Sequence, residues 1–120
     1  MQTKTLEKLL IEANDLVKRL SFEESINLIN NSKTVIIDVR EESEVYNLGL
    51  VKNAIHIPRG LLEFKLSPNS PNNPVLIDDE TNILVYCAGG YRSALAAKTL
   101  LDLGFKNVYN LGGFQEWIES

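Results

Sequence analysis

Two short runs of almost entirely apolar residues restrict the fold of this chain more than any other feature of its sequence. They are VIIDV at 35–39 and ILVYC at 83–87. Such runs are typical of strands buried on both faces, which occur in parallel sheets. Shorter candidate strands lie at 54–57 and 107–111, with helical segments between the strands. We therefore predict an α/β fold with a central parallel sheet of about five short strands and helices on both faces.

The segments between these strands carry local signals for helices and loops. Residues 21–24, SFEE, have the form of a capping box at the start of a helix. Residues 41–48 and 60–66 are predicted to form short helices, and 94–103 a stronger one. The stretch SPNSPNNP at 67–74 is predicted to be a loop because its prolines and asparagines favour turns.

The first twenty residues are predicted to form an amphipathic helix, residues 1–20, packed on a domain formed by residues 21–120. Apolar side chains recur there at spacings of three and four, at Leu6, Leu9, Leu10, Ala13, Leu16, Val17 and Leu20. Charged residues lie between them, so the segment lacks the uninterrupted apolar stretch of a secretory signal or a membrane span.

Composition narrows the classes of partner and site that we expect. The 120 residues carry a net charge of −4, which argues against nucleic acid or an anionic membrane as partner. With one Cys and one His, the chain can form neither an internal disulfide nor a zinc site from these residue types. We expect no metal or cofactor, and a reducing compartment, the cytoplasm, as the location.

The segment CAGGYR at 87–92 is the strongest candidate for a reactive site. Cys87 ends a buried strand, and a helix begins a few residues later. In a parallel sheet this places the thiol at the carboxyl edge, where ligands bind. Gly89 and Gly90 allow a concave turn whose backbone amides converge, and Arg92 adds a cation. Such surroundings lower the pKa of a thiol and make it nucleophilic as the thiolate.

Four stretches in the right order resemble the rhodanese-like sulfurtransferases of the single-domain type, from about Leu16 to Trp117. They are DVRE at 38–41, the pair Glu44 and Gly49, CAGGYRSALAA at 87–97, and LGGFQEW at 111–117. The resemblance implies a sulfane-sulfur carrier. The Cys87 thiolate would attack a donor such as thiosulfate, form a persulfide, and pass the outer sulfur to cyanide or a thiol, including one on a partner protein.

The resemblance also implies roles for individual residues. Cys87 is the expected nucleophile, and the cradle that binds the substrate is formed by Ala88, Gly89, Gly90, Tyr91 and Arg92. Asp38 and Arg40 are expected to hold the structure near the site. Helical spacing also suggests an ion pair between Arg40 and Glu44.

Two residues depart from the family pattern. Leu50 stands where the family usually has His, which costs little if the cysteine is already a thiolate. Ala88 stands where thiosulfate-specific members often have Arg, so the affinity for this dianion is expected to be low. Arg59, on a neighbouring loop, is a candidate to supply the missing charge.

Two alternative functions use the same sequence features. A cysteine phosphatase or arsenate reductase also has a cysteine, an amide cradle and an arginine, but with five residues between Cys and Arg. Here there are four, Ala88 to Tyr91, which suits a single sulfur atom better than a tetrahedral oxyanion. The second alternative is a noncatalytic module that carries sulfur or binds a protein partner through the same fold.

Overall fold

The strands are β1 (Lys18–Arg19), β2 (Thr34–Asp38), β3 (Ile55–His56), β4 (Asn82–Cys87) and β5 (Val108–Gly113). The computed structural model describes residues 1–118. The five strands form one sheet in the order β1-β5-β4-β2-β3, and every neighbouring pair is parallel. The predicted α/β architecture with a parallel sheet is thereby confirmed.

The helices are α1 (Leu6–Leu16), α2 (Phe22–Asn31), α3 (Glu42–Leu48), α4 (Leu62–Leu66), α5 (Tyr91–Asp102) and α6 (Phe114–Ile118), with a 3-10 turn at Arg59–Leu61. The predicted capping box is present. The Ser21 Oγ accepts a hydrogen bond from the Glu24 amide at 3.0 Å, and the Glu24 carboxylate accepts one from the Ser21 amide at 3.0 Å. Gly49 ends α3 with φ +80°, a left-handed conformation that glycine adopts without strain.

Alternating side chains of β2 and β4 supply two hydrophobic cores, one on each face of the sheet. Ile37, Val85 and Cys87 face the core that is covered by α4 and α5. Leu84 and Tyr86 face the opposite core, which is covered by α2 and α6. Because both faces are covered, residues 35–37 of β2 and 83–87 of β4 are all apolar, which is the pattern seen in the sequence.

The N-terminal segment differs from the continuous helix predicted for residues 1–20. The helix α1 ends at Leu16, and the chain then runs extended as β1 on the edge of the sheet beside β5. Val17 is buried in one core and Leu20 in the other. The helical spacing of these two residues misled the prediction, because an extended chain at the sheet edge places them on opposite faces. Leu6 and Leu16 are exposed, while Ala13 is buried where α1 lies against α5.

The pairing of β4 with β5 contains an irregularity close to the end of both strands. Val85 pairs with Asn110, but the next residue, Tyr86, pairs with Gly112, so Leu111 is an extra residue. Gly112 has φ +99° at this point. Gly112 and Gly113 are the last residues of β5, and Gly113 lies beside Cys87. None of the helices formed by the described residues is long and apolar enough to cross a membrane.

Candidate active site

Cys87 is the last residue of β4, a strand with neighbours on both sides in the middle of the sheet. Its side chain is 1% exposed. The chain then turns through three residues, 88–90, and enters α5 at Tyr91. The thiol therefore lies between the end of a central strand and the start of a helix. This is at the carboxyl ends of the parallel strands, where α/β proteins bind ligands.

Backbone amides of the turn and the helix are directed at the sulfur. The Gly90 amide donates to Cys87 Sγ at 3.0 Å, and the Ser93 amide does so at 3.4 Å. Gly90 has φ +94°, in the left-handed region. This conformation reverses the chain so that the Gly90 N–H points back to the strand end, and it explains why glycine stands here.

The surroundings of Cys87 determine its protonation. Burial raises the pKa of the thiol, since an apolar environment disfavours the charged form. Hydrogen bonds from the Ser93 hydroxyl and from the amides of Ser93, Gly90 and Gly89 act in the opposite direction and outweigh it. The net effect is a pKa below the ordinary value of the thiol, as expected from the glycine-rich loop.

A buried polar network supports this loop from below. Ser93 Oγ donates to Asn110 Oδ1 at 2.8 Å, and Asn110 Nδ2 donates to the Gly90 carbonyl at 3.0 Å. The Gly112 amide donates to the same Asn110 Oδ1 at 2.9 Å. Ser93 and Asn110 are both buried. The network connects β5 to the loop and holds the Gly90 peptide in place.

The Ser93 hydroxyl also lies 3.4 Å from Cys87 Sγ. A hydroxyl has one proton, so it donates either to Asn110 or to the sulfur at any moment. Asn110 Oδ1 keeps the Gly112 amide as a donor in both cases. The hydroxyl can therefore turn toward a thiolate without leaving the buried amide oxygen unsatisfied.

Ser93 and Asn110 were not among the candidate site residues from the sequence. The signal for Asn110 was present, because it is a polar residue inside the apolar strand segment NVYNL. A buried polar residue in a strand must find hydrogen-bond partners, which usually places it beside a loop or a site. Ser93 gave no such signal, since small residues surround it on α5.

Arg92 does not face open space above the loop. Its Nη1 and Nη2 donate to the two oxygens of Glu44 at 2.7 and 2.8 Å, which joins α5 to α3. The hydrogen bonds from Arg92 lower the pKa of Glu44 to about 2. The same hydrogen bonds to Glu44 raise the pKa of Arg92, and the charge of Cys87 raises it further. Arg92 is thus near the sulfur, with both terminal nitrogens engaged.

The predicted ion pair between Arg40 and Glu44 is wrong, because Arg40 pairs with Asp38. Arg40 Nη2 donates to Asp38 Oδ2 at 2.7 Å, its amide to Oδ1 at 2.8 Å, and Nη2 also to the Gly49 carbonyl at 2.6 Å. Both side chains are 0% exposed. The chain bends at Arg40, where its amide bonds the Asp38 carboxylate, and the side chain enters the core with its guanidinium 4.1 Å from the centre of the Phe114 ring.

Of the other predicted site residues, Ala88 and Tyr91 lie at the loop, whereas Arg59 makes its contacts elsewhere. Ala88 is exposed, and Tyr91 is 68% exposed, with its ring beside Gly89. A Cβ atom on Gly113 would lie 2.5 Å from the Ala88 carbonyl oxygen, so only glycine allows β5 to approach the loop so closely. Arg59 donates to Glu63 at 2.9 Å and to Thr99 at 3.0 Å. These contacts are with α4 and α5, away from the residues that touch the sulfur.

Within residues 1–118, the structure brings together no group of three Cys, His, Asp or Glu side chains that could hold a metal ion. The chemistry available at the site is that of a buried thiol with a lowered pKa, surrounded by backbone amides. Such a thiol can act as a nucleophile toward an electrophilic sulfur, and the amides can stabilise the anion that forms.

The chain is similar to known proteins both in sequence and in structure. Residues 21–120 match the family described as Rhodanese-like domain. The thiosulfate sulfurtransferase GlpE of Coxiella burnetii is 34% identical, over 85% of this chain and 88% of its own length. A tRNA uridine(34) hydroxylase of Photorhabdus laumondii is 33% identical over 78% of this chain, which spans only 26% of that enzyme.

A solved structure from Rhodopseudomonas palustris, described as of unknown function and a possible tyrosine phosphatase, superposes with a TM-score of 0.86. It is 36% identical and is aligned over 99% of this chain and 92% of its own. The similarity therefore includes the N-terminal segment with α1 and β1.

Proposed function

The chain belongs to the rhodanese-like domain family, and from this we propose that it is a sulfurtransferase that carries sulfane sulfur as a persulfide on Cys87. The observation that carries the proposal is the set of hydrogen bonds to the buried Cys87 sulfur from the amides of Gly90 and Ser93. A neutral thiol is a weak hydrogen-bond acceptor and gains little from converging amides, whereas a thiolate or persulfide anion is stabilised by them.

With thiosulfate as donor, the first step forms a sulfur–sulfur bond. The Cys87 thiolate attacks the outer sulfur of thiosulfate, and the bond from that sulfur to the sulfonate sulfur breaks. Sulfite leaves with the electron pair, and Cys87 carries a persulfide anion. No proton moves in this step, so no general base is needed and the absence of the family's His at Leu50 is tolerated.

In the second step the acceptor takes the outer sulfur. Cyanide, or a thiolate, attacks it and the Cys87 thiolate leaves with the bonding electrons, which restores the starting state. Thiocyanate, or a new persulfide, is the product. We propose that loop amides from residues 88–92 hold the outer sulfur between the two steps, as the Gly90 and Ser93 amides hold Cys87 Sγ. A single free thiol that must stay reduced suits the cytoplasm, where we place this activity.

The second candidate function is that of a cysteine phosphatase, which the solved relative from Rhodopseudomonas palustris brings into consideration. The length of the loop favours sulfur transfer. Only four residues separate Cys87 from Arg92, whereas such a phosphatase has five, and the shorter loop suits one sulfur atom better than a tetrahedral oxyanion.

The test is a panel of sulfur donors, namely thiosulfate, mercaptopyruvate and glutathione persulfide, with thiocyanate formation from cyanide as readout. Hydrolysis of an aryl phosphate is measured beside it. We expect sulfur transfer and no useful phosphatase activity. Mass spectrometry should show the addition of one sulfur atom, which can only be on Cys87 because the chain has one Cys.

The Cys87→Ser variant is expected to lose sulfur transfer while keeping its fold, since a hydroxyl is far less ionised than a thiol. Lys98→Ala, which removes an exposed side chain of α5 that pairs with Asp102, serves as the control. Residual activity of Cys87→Ser above a few percent, or efficient phosphate hydrolysis by the wild type, would overturn the proposal. A protein that takes up no sulfur from any donor would point instead to a noncatalytic module.

A further inference from the structure

A second arginine touches the loop that follows Cys87, on the side of β1 and β5. Arg19 lies on β1, the edge strand, opposite Asn110 of β5. The amide of the next residue, Leu20, donates to the Asn110 carbonyl at 3.0 Å. The backbone around Arg19 is therefore attached to the strand whose asparagine side chain supports the loop.

The guanidinium of Arg19 covers the backbone of two glycines. A Cβ atom on Gly112 would lie 2.7 Å from Arg19 Nη2, and one on Gly90 would lie 3.2 Å from Arg19 Nη1. The guanidinium thus occupies the space next to both glycines, where another residue would place its side chain. Both glycines have positive φ, so a side chain at either position would be strained in any case.

Glu116, on α6, holds Arg19 in this position. Arg19 Nη2 lies 2.6 Å from Glu116 Oε1, in an ion pair whose side chains are 47% and 63% exposed. An exposed pair of this kind contributes little to the free energy of unfolding. We therefore expect the ion pair to affect mainly the position of the glycine backbone that the Arg19 guanidinium covers.

The two covered glycines make the hydrogen bonds that shape the cradle. The Gly90 amide donates to Cys87 Sγ at 3.0 Å, and the Gly90 carbonyl accepts from Asn110 Nδ2 at 3.0 Å. The Gly112 amide donates to Asn110 Oδ1 at 2.9 Å. A shift of either glycine moves an amide that acts on the sulfur, directly for Gly90 and through Asn110 for Gly112.

We propose that Arg19 is a positioning residue for sulfur transfer: its guanidinium, held by Glu116, covers Gly90 and Gly112 and keeps the Gly90 amide directed at the Cys87 sulfur. The inference rests on the proposed function for its effect on turnover. The expected effect of Arg19 on the Cys87 thiol does not depend on the proposed function, because the reactivity of Cys87 can be measured without any sulfur donor.

Two ion pairs flank the loop that follows Cys87, and a third cation on β1 provides a control. Arg92 with Glu44 lies on the side of α3, and Arg19 with Glu116 lies on the side of α6. Lys18, next to Arg19 in sequence, is 64% exposed and pairs with Glu24 at 3.1 Å, so Lys18→Ala removes one cation from the same strand without touching the glycines. It is the matched control.

The experiment measures the rate of alkylation of Cys87 by iodoacetamide against pH, and the kcat and KM of thiocyanate formation, for the wild type, Arg19→Ala, Arg19→Lys and Lys18→Ala. We expect Arg19→Ala to raise the pH midpoint of alkylation and to lower kcat roughly tenfold, since a misplaced group costs rate even far from the chemistry. Lys18→Ala should match the wild type in both readouts.

Arg19→Lys separates coverage from charge. A lysine keeps the cation and can pair with Glu116, but its point charge cannot cover both glycines as a planar group does. We expect it to stay below half of the wild-type kcat. Full activity with lysine, an unchanged alkylation midpoint in Arg19→Ala, or an equal effect of Lys18→Ala would each overturn the inference. If Arg19→Ala fails to fold, the result for Arg19→Lys decides whether the inference holds. A wild type that transfers no sulfur would contradict the proposed function. The alkylation profiles would still test the role of Arg19 in that case.

Discussion

Two of the acid–arginine pairs near the carboxyl ends of the strands use the same chemistry in different surroundings. Asp38 and Arg40 are two residues apart and fully buried. Glu44 and Arg92 are far apart in the chain, join α3 to α5, and are 29% and 38% exposed. Both pairs make two or more hydrogen bonds, so the difference between them lies in their access to water.

Because of this difference in access to water, the two pairs contribute differently to the free energy of unfolding. In the core, removal of one charge leaves the other desolvated and unpaired, which costs far more than an intact pair contributes. At the rim, water replaces a lost partner, so the net contribution is small. The buried pair therefore bears on whether the chain folds, and the rim pair on where α5 and the loop lie relative to α3.

The largest expected effect is that of Arg40→Met. The buried Asp38 carboxylate would keep its hydrogen bond from the backbone amide of residue 40 but lose the guanidinium. We expect the free energy of unfolding to fall by about 3 to 5 kcal/mol, measured by urea denaturation. Lys98→Met, which breaks an exposed pair with Asp102 on α5, should cost less than about 0.5 kcal/mol. Equal losses in the two variants would contradict the distinction by burial.

An intermediate effect is expected for Glu44→Gln, and mainly on activity. Loss of the carboxylate should cost only about 1 kcal/mol of stability, because water reaches both partners. It frees Arg92, the residue that follows the loop and whose charge interacts with Cys87. We expect a several-fold change in kcat for thiocyanate formation. The stability loss should shrink in 1 M salt, where exposed pairs are screened; a loss as large as that of Arg40→Met would refute the comparison.

The smallest effect is the dependence of stability on pH that Glu44 contributes. Its pKa is about 2 in the folded protein against the usual 4.5, so its stabilisation is present above about pH 4.5 and is lost as the pH falls toward 2. The difference in unfolding free energy between the wild type and Glu44→Gln should narrow over this range. Asp78, whose pKa Lys33 lowers to about 2, is common to both proteins and cancels. A difference that does not change with pH would show that the charge of Glu44 is not the source of its effect.

Much of the fold was predictable because the signals are local. The apolar runs around Ile37 and Val85 are typical of strands covered on both faces, and the capping box at Ser21 begins a helix as predicted. The position of Cys87 was predictable for the same reason, since a strand end, two glycines and a helix start are contiguous in the chain.

The strand β1 was not predictable in this way. Lys18 and Arg19 carry no preference for a strand, and the apolar residues beside them have helical spacing. Pairing with β5 decides their conformation. The hydrogen-bond partners belong to a strand that is distant in the sequence, so the local residues do not indicate them.

The sequence by itself determined the alternation of strands and helices, the position of the thiol at the end of a central strand, and the glycines that let amides turn toward it. Only the tertiary structure decided the partners of the charged and polar side chains. Arg40 pairs with Asp38 rather than Glu44, Glu44 pairs with Arg92, and Ser93 meets Asn110. The physical reason is that backbone conformation and burial are encoded within a few residues, whereas a long polar side chain can reach several partners. The packing of distant elements selects among them.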